Sequence, residues 1–198
     1  MVHCIGDSHC RLFKGTNTLN TNEDRVPGFI VSHISGHLAY NVCNENHPVR
    51  ISIDKVMHKH PVENVVFFYG EIDCRCHLPK YAREFGVLPA VESCVDRYVD
   101  GLNQISTMTD ATLAAFAPYF TPKVDRVTEG AGTWNEIFQI TVVFEHVLRD
   151  RFERVASLND WLMDQEAWNK KEFYIDPTHL SIKCLPKAIE EVNRVLGL

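Results

Sequence analysis

The 198-residue chain has no apolar stretch near the roughly 18 residues that a membrane-spanning helix needs, so no membrane is expected as a partner. Its N-terminus, Met1-Val-His-Cys-Ile-Gly-Asp7, lacks the basic segment and apolar run of a secretory signal. Runs of Lys and Arg are missing too. The nearest approach is Lys170-Lys171 with the dispersed Arg149, Arg151 and Arg154, and acidic residues outnumber basic ones 26 to 20. A formal charge of −6 without a basic patch does not suit a surface that tracks phosphates, so nucleic acid is not an expected partner. Internal repeats, low-complexity tracts and linkers are absent, and one domain covering 1–198 is expected.

Paired Cys-x₂-Cys loops are also lacking, although there are seven cysteines, at positions 4, 10, 43, 74, 76, 94 and 184. An odd number cannot pair completely within one chain. Without a signal segment, the expectation is free thiols in a reducing, cytoplasmic setting. The remaining composition, 45% hydrophobic, 23% charged and 10% aromatic, excludes a disordered chain, a collagen-like fibre and a coiled coil.

The hydrophobic pattern alternates between two kinds of segment. Val2 to Gly6, Phe29 to Ile34, Asn64 to Tyr69 and Thr112 to Ala117 read as strands, and Arg154 to Leu158 as a short fifth. The run Asn64-Val-Val-Phe-Phe-Tyr69 is continuously apolar, which suits a strand buried on both faces of a parallel sheet. Helical spacing of three and four residues runs through Val91, Val95, Tyr98, Val99, Leu102 and Ile105, and again from about Asn135 to Phe152. A closing helix is expected over Ile182 to Leu196, and a further helical segment from Gly36 through Val42. Strands alternating with helices predict an α/β fold, a three-layer α/β/α sandwich around a central parallel sheet of about five strands. In such folds the active site lies beyond the carboxyl ends of the strands.

The residues that follow the strands therefore matter most. Ser8, in Gly6-Asp7-Ser8-His9, follows the first strand at a sharp turn that exposes its hydroxyl, as a nucleophile requires. The same residues also suit a helix N-cap. Near the other end, Asp176-Pro177-Thr178-His179 sets an acid and a histidine on one turn. There the carboxylate can fix the imidazole tautomer while the other ring nitrogen accepts a proton from Ser8.

Gly6-Asp7-Ser8, Gly36 after the second strand, Gly70-Glu-Ile-Asp73 after the third and Asp176-x-x-His179 resemble the ordered blocks of the SGNH/GDSL hydrolase superfamily. The resemblance spans nearly the whole chain. It implies the SGNH/flavodoxin-like sandwich and ester hydrolysis by Ser8, His179 and Asp176, with the N–H groups of Ser8 and Gly36 donating to the oxyanion. No cofactor and no metal are implied. The implied substrate is a small-molecule or carbohydrate ester, with acetyl on a sugar the favoured case. The third block departs from the family's Gly-x-Asn-Asp: Ile72 stands where an asparagine would donate to the oxyanion, and isoleucine donates nothing. Gly70-Glu-Ile-Asp-Cys-Arg75 resembles a variant of that block, in which Arg75 or His77 can supply a substitute donor or bind an anionic group of the substrate. Arg75 and Glu71 can equally form an ion pair that only holds the loop.

Two other readings compete. Ile72 also fits a non-hydrolytic carbohydrate-binding module or an acyltransferase of the same fold. His3, Cys4, His9, Cys10, Cys74, Cys76 and His77 gather beside the first and third strands and offer N and S ligands for zinc, though without the loop spacing of structural sites. Trp134, Trp161 and Trp168 are expected to pack in the core or at an interface, with sugar stacking as the alternative.

Overall fold

Five short strands, rich in Val, Ile, Phe and Ala, assemble into one parallel sheet: β1 (Val2–Gly6), β2 (Phe29–His33), β3 (Asn64–Phe68), β4 (Thr112–Phe116) and β5 (Val155–Ala156). The computed structural model describes residues 1–16, 26–34, 36–122 and 132–198; Ser35, just after the run Phe29 to Ile34 expected as the second strand, lies outside them. The strand order is β2-β1-β3-β4-β5. β1 therefore lies between β2 and β3, with Gly6 level with His33 on one side and Phe68 on the other. The chain moves outward from β1 in opposite directions, which opens a crevice at the carboxyl end of this switch point.

Both faces of the sheet are covered. Ile5, Val65, Phe67, Leu113 and Ala115 point to one core. It is shared with α1 (Pro48–Lys59), α3 (Val87–Ser106) and α4 (Trp134–Arg151) through Ile53, Tyr98, Leu102, Phe144 and Leu148. Val2, Cys4, Val66, Phe68, Ala114 and Phe116 point to the other core. There they meet the 3₁₀ segment Ser8–Lys14 and α6 (Leu185–Leu196) through Cys10, Phe13, Ala188 and Val192. The period-2 alternation of a strand thus places apolar residues on two buried faces, which explains the unbroken apolarity of β1 and β3. Two shorter helices complete the set, α2 (Leu78–Phe85) and α5 (Asn159–Asp164). Among the described residues no helix is long and apolar enough to cross a membrane.

Two local expectations are corrected. The segment after β2 is not a helix from Gly36 to Val42 but a single 3₁₀ turn, Ala39–Asn41. Gly36 is left-handed at φ 73° and Leu38 is extended, so helical dihedrals cannot propagate through them. The buried Asp73 carboxylate then takes the Ala39 N–H at 2.8 Å, a donor that a longer helix would have used. Conversely, α1 was assigned no element. It starts with Pro48 in its first turn, and the His47 side chain accepts from Val49 N–H, so its start signal rests on proline and a capping imidazole rather than Ser, Thr or Asp.

Candidate active site

β1 ends at Gly6 because nothing larger fits: a β-carbon there would strike the carbonyl and side chain of Phe68 on β3. The chain turns at this point, and Asp7 N–H donates to the Phe68 carbonyl at 3.1 Å. Asp7, 1% exposed, caps the 3₁₀ segment by accepting the His9 N–H at 2.9 Å. Ser8 is the first residue of that segment and half-buried, with its side chain at the rim of the sheet.

The other half of the site is a loop that closes on itself. Tyr174 and Leu180 form an antiparallel bridge, and Ile175 N–H donates to the His179 carbonyl at 2.9 Å. Within the loop, Asp176 Oδ1 accepts the backbone N–H groups of Thr178 at 2.8 Å and His179 at 2.9 Å. Its second oxygen, Oδ2, lies 2.7 Å from His179 Nδ1. The opposite ring nitrogen, Nε2, lies 2.6 Å from Ser8 Oγ. The structure therefore brings Ser8, His179 and Asp176 into one continuous hydrogen-bonded line.

The electrostatics fit a neutral base beside an ionised acid. Burial pushes the Asp176 carboxyl upward, but the Thr178 N–H and the His179 ring outweigh it, and the net shift is below the ordinary carboxylate value. Burial lowers His179, the charge of His9 lowers it further, and Asp176 only partly opposes this. At neutral pH the imidazole is thus free to accept a proton.

Of the other predicted site residues, Gly36 follows β2 in an exposed turn whose φ of 73° suits glycine. Arg75 is engaged with Glu71: Nε lies 2.7 Å from Oε1 and Nη2 3.4 Å from Oε2. Between the two roles open to Arg75, this geometry carries the ion pair. Glu71 is 4% exposed, so it is a buried carboxylate organising the loop. His77 is exposed and lies on a pocket of 440 Å³, together with Leu38 and Tyr40 after β2, Asp73 after β3, and Tyr81 and Phe85 of α2. The hollow lined by Ser8 and His179 is far smaller, 10 Å³.

The expected gathering of metal-binding side chains takes another form. Among the described residues there is no group of three or more His, Cys, Asp or Glu placed to hold a metal. His3 bonds Ser32 Oγ at 2.8 Å, and Cys4, Cys10 and Cys74 are buried. Trp134 packs on Phe138 and donates to the Thr121 carbonyl at 3.1 Å, while Trp161 meets Phe173 edge-on. His9 is the residue whose place the sequence reading missed. It stacks on His179 with ring centroids 4.9 Å apart. The signal available was Asp7-x-His9 beside the serine, an acid and an imidazole two residues apart.

No protein-family model and no curated protein sequence matches the chain. Solved structures do match. The acetyl xylan esterase AlAXEase is 15% identical, with 99% of this chain and 100% of that one covered at a TM-score of 0.59. A lipase/acylhydrolase from Enterococcus faecalis is 14% identical, covering 100% and 96% at 0.60. Est24, a carbohydrate acetylesterase from Sinorhizobium meliloti, is 15% identical, covering 99% and 98% at 0.53. At such low identity the likeness speaks for architecture. Together with the sheet order, it shows that the chain has the three-layer α/β/α fold of these structures.

Proposed function

We propose that the protein is a serine ester hydrolase that removes small acyl groups, with acetyl on carbohydrate as the favoured substrate. The observation that carries this reading is the line from Ser8 Oγ through His179, 2.6 Å on one side and 2.7 Å on the other, to Asp176. Ser8 Oγ attacks the ester carbonyl and its proton passes to His179 Nε2. Collapse of the tetrahedral intermediate breaks the bond to the alcohol, which leaves with the proton from His179. Water then adds to the acyl-enzyme, giving its proton to His179, and the same ring returns that proton to Ser8 as the carboxylic acid departs. Asp176 keeps the ring in the right tautomer and stabilises its transient charge. In this reading the N–H groups of Ser8 and Gly36 hold the oxyanion. Acetyl as the acyl group is favoured by the acetylesterases among the fold neighbours.

The test is labelling with a fluorophosphonate, followed by intact mass and peptide mapping, and then hydrolysis of a panel of acetyl esters. The expected result is one adduct, on Ser8, which is absent in Ser8→Ala and strongly slowed in His179→Ala. Full esterase activity in Ser8→Ala, or a folded protein that takes no label, would overturn the proposal.

A further inference from the structure

His9 is 6% exposed, and both of its ring nitrogens face oxygen. Nδ1 lies 2.7 Å from Asp7 Oδ1 and Nε2 lies 3.1 Å from the Thr178 carbonyl. A neutral imidazole has a single N–H and would turn a lone pair toward one of these acceptors, whereas an imidazolium donates to both. A second carboxylate, Glu71, places Oε2 3.7 Å from Nε2. On its other side Glu71 holds the half-buried Arg75, so the four residues form a row of alternating charge. The ring's flat face lies against His179 at 4.9 Å with 23° between the planes, and Tyr119 meets it edge-on at 5.1 Å.

We propose that His9 is a positioning residue of this site: a charged ring that donates from both nitrogens, pins the Thr178–His179 turn to the end of β1 and holds His179 in its proton-accepting form. Its catalytic consequence rests on the esterase reading above. The stacking adds to burial in keeping the base unprotonated. A second cation stacked at 4.9 Å is repelled by the first, so protonating His179 costs more than it would beside a neutral ring.

The surrounding charges agree. His179 is faced by Ser8 and His9 from the segment after β1, and by Asp176 from its own turn. Glu71 from the segment after β3 and His33 at the end of β2 act on it from further away. The Nδ1 of His33 is occupied by Arg11 Nη2 at 2.8 Å, and burial and Arg11 hold His33 below its ordinary value. His9 is faced by Asp7, Glu71, His179 and Tyr119. Burial alone would lower it, but Asp7 and Glu71 outweigh burial and raise it to about 9.

The sign of the effect follows. Activity needs neutral His179, and removing the neighbouring charge makes its protonation easier, so the acid limb of the rate profile moves to higher pH. The test is nitrogen-15 NMR of the histidine rings, with the pH profile of kcat/KM on an acetyl ester read alongside, for the wild type and His9→Gln. In the wild type, both His9 nitrogens should stay protonated from pH 6 to 8, and His179 should titrate below 6.5. In His9→Gln, His179 should titrate about one pH unit higher, with a loss of kcat/KM that is several-fold greater near pH 6 than above pH 8. Equal titration of His179 in the two proteins overturns the proposal. If His9→Gln does not fold, the wild-type spectrum decides alone: a His9 ring that is neutral at pH 7 is fatal. The ring titrations need no substrate, so an unlabelled Ser8 would sink the esterase reading without deciding whether the two rings are coupled.

Discussion

At the scale of the residue, Asp176 contributes more than charge. It accepts four groups of its own loop, the N–H and hydroxyl of Thr178, the N–H of His179 and the His179 ring, so one carboxylate shapes the turn and orients the base. Asp176→Asn keeps the shape and can keep the loop contacts, but its amide can hold the imidazole in the wrong tautomer. The expected loss is up to about 10⁴-fold in kcat with a circular dichroism spectrum unchanged. Ile72 permits a gain rather than a loss. Ile72→Asn places an amide where the superfamily resemblance implies a third oxyanion donor, and kcat is expected to rise about tenfold or more with KM little changed. Ser8, His179 and Asp176 were legible because each is a chemically specific residue type beside a strand end or a proline turn. His9 was not, because its meaning comes from Thr178 and His179, some 170 residues further along the chain. No local pattern encodes that stack.

At the scale of the element, α3 shows how a helix serves the site from a distance. Gly101 lies in its interior, where alanine normally improves a helix by about 1 kcal/mol. Here a β-carbon would sit 2.7 Å from Cys43 N and from the Val42 carbonyl carbon, both backbone atoms that cannot swing aside. Gly101→Ala is therefore expected to destabilise the fold by about 1–3 kcal/mol, as overpacking does, read as a lower denaturation midpoint at unchanged slope. α4 begins with a capping box, Thr133 with Glu136, and Glu136 also reaches Arg83 of α2 at 2.7 Å. The long helices α3 and α4 and the fully buried strands were legible from hydrophobic spacing alone. The short α1 and α2 were not, since a helix of 12 or 8 residues offers few repeats of that spacing.

At the scale of the whole molecule, the cysteines are a measure of intactness. All seven are free; Cys4, Cys10, Cys74, Cys94 and Cys184 are buried, and only Cys43 and Cys76 are partly open. Burial pushes the Cys76 thiol above its ordinary value, so Cys43 should react first. Titration of the native protein with a thiol reagent should therefore find one fast and one slower group, with the other five appearing only on denaturation. Five or more fast thiols in the native protein would contradict this packing. The parallel sheet and its two covering layers were readable from the alternation of strand and helix, because that alternation is dictated by the geometry of the crossover connection. What the topology adds is an order in time. The serine stands at position 8 and its base at 179, on either side of a sheet whose last strand is Val155–Ala156. If Ser8 and His179 act as proposed, a ribosome-bound chain that has released every strand is still inert until the loop carrying His179 emerges and docks. On the proposed esterase reading, reaction of Ser8 with a phosphonate reports that this loop has docked and is silent on every shorter intermediate.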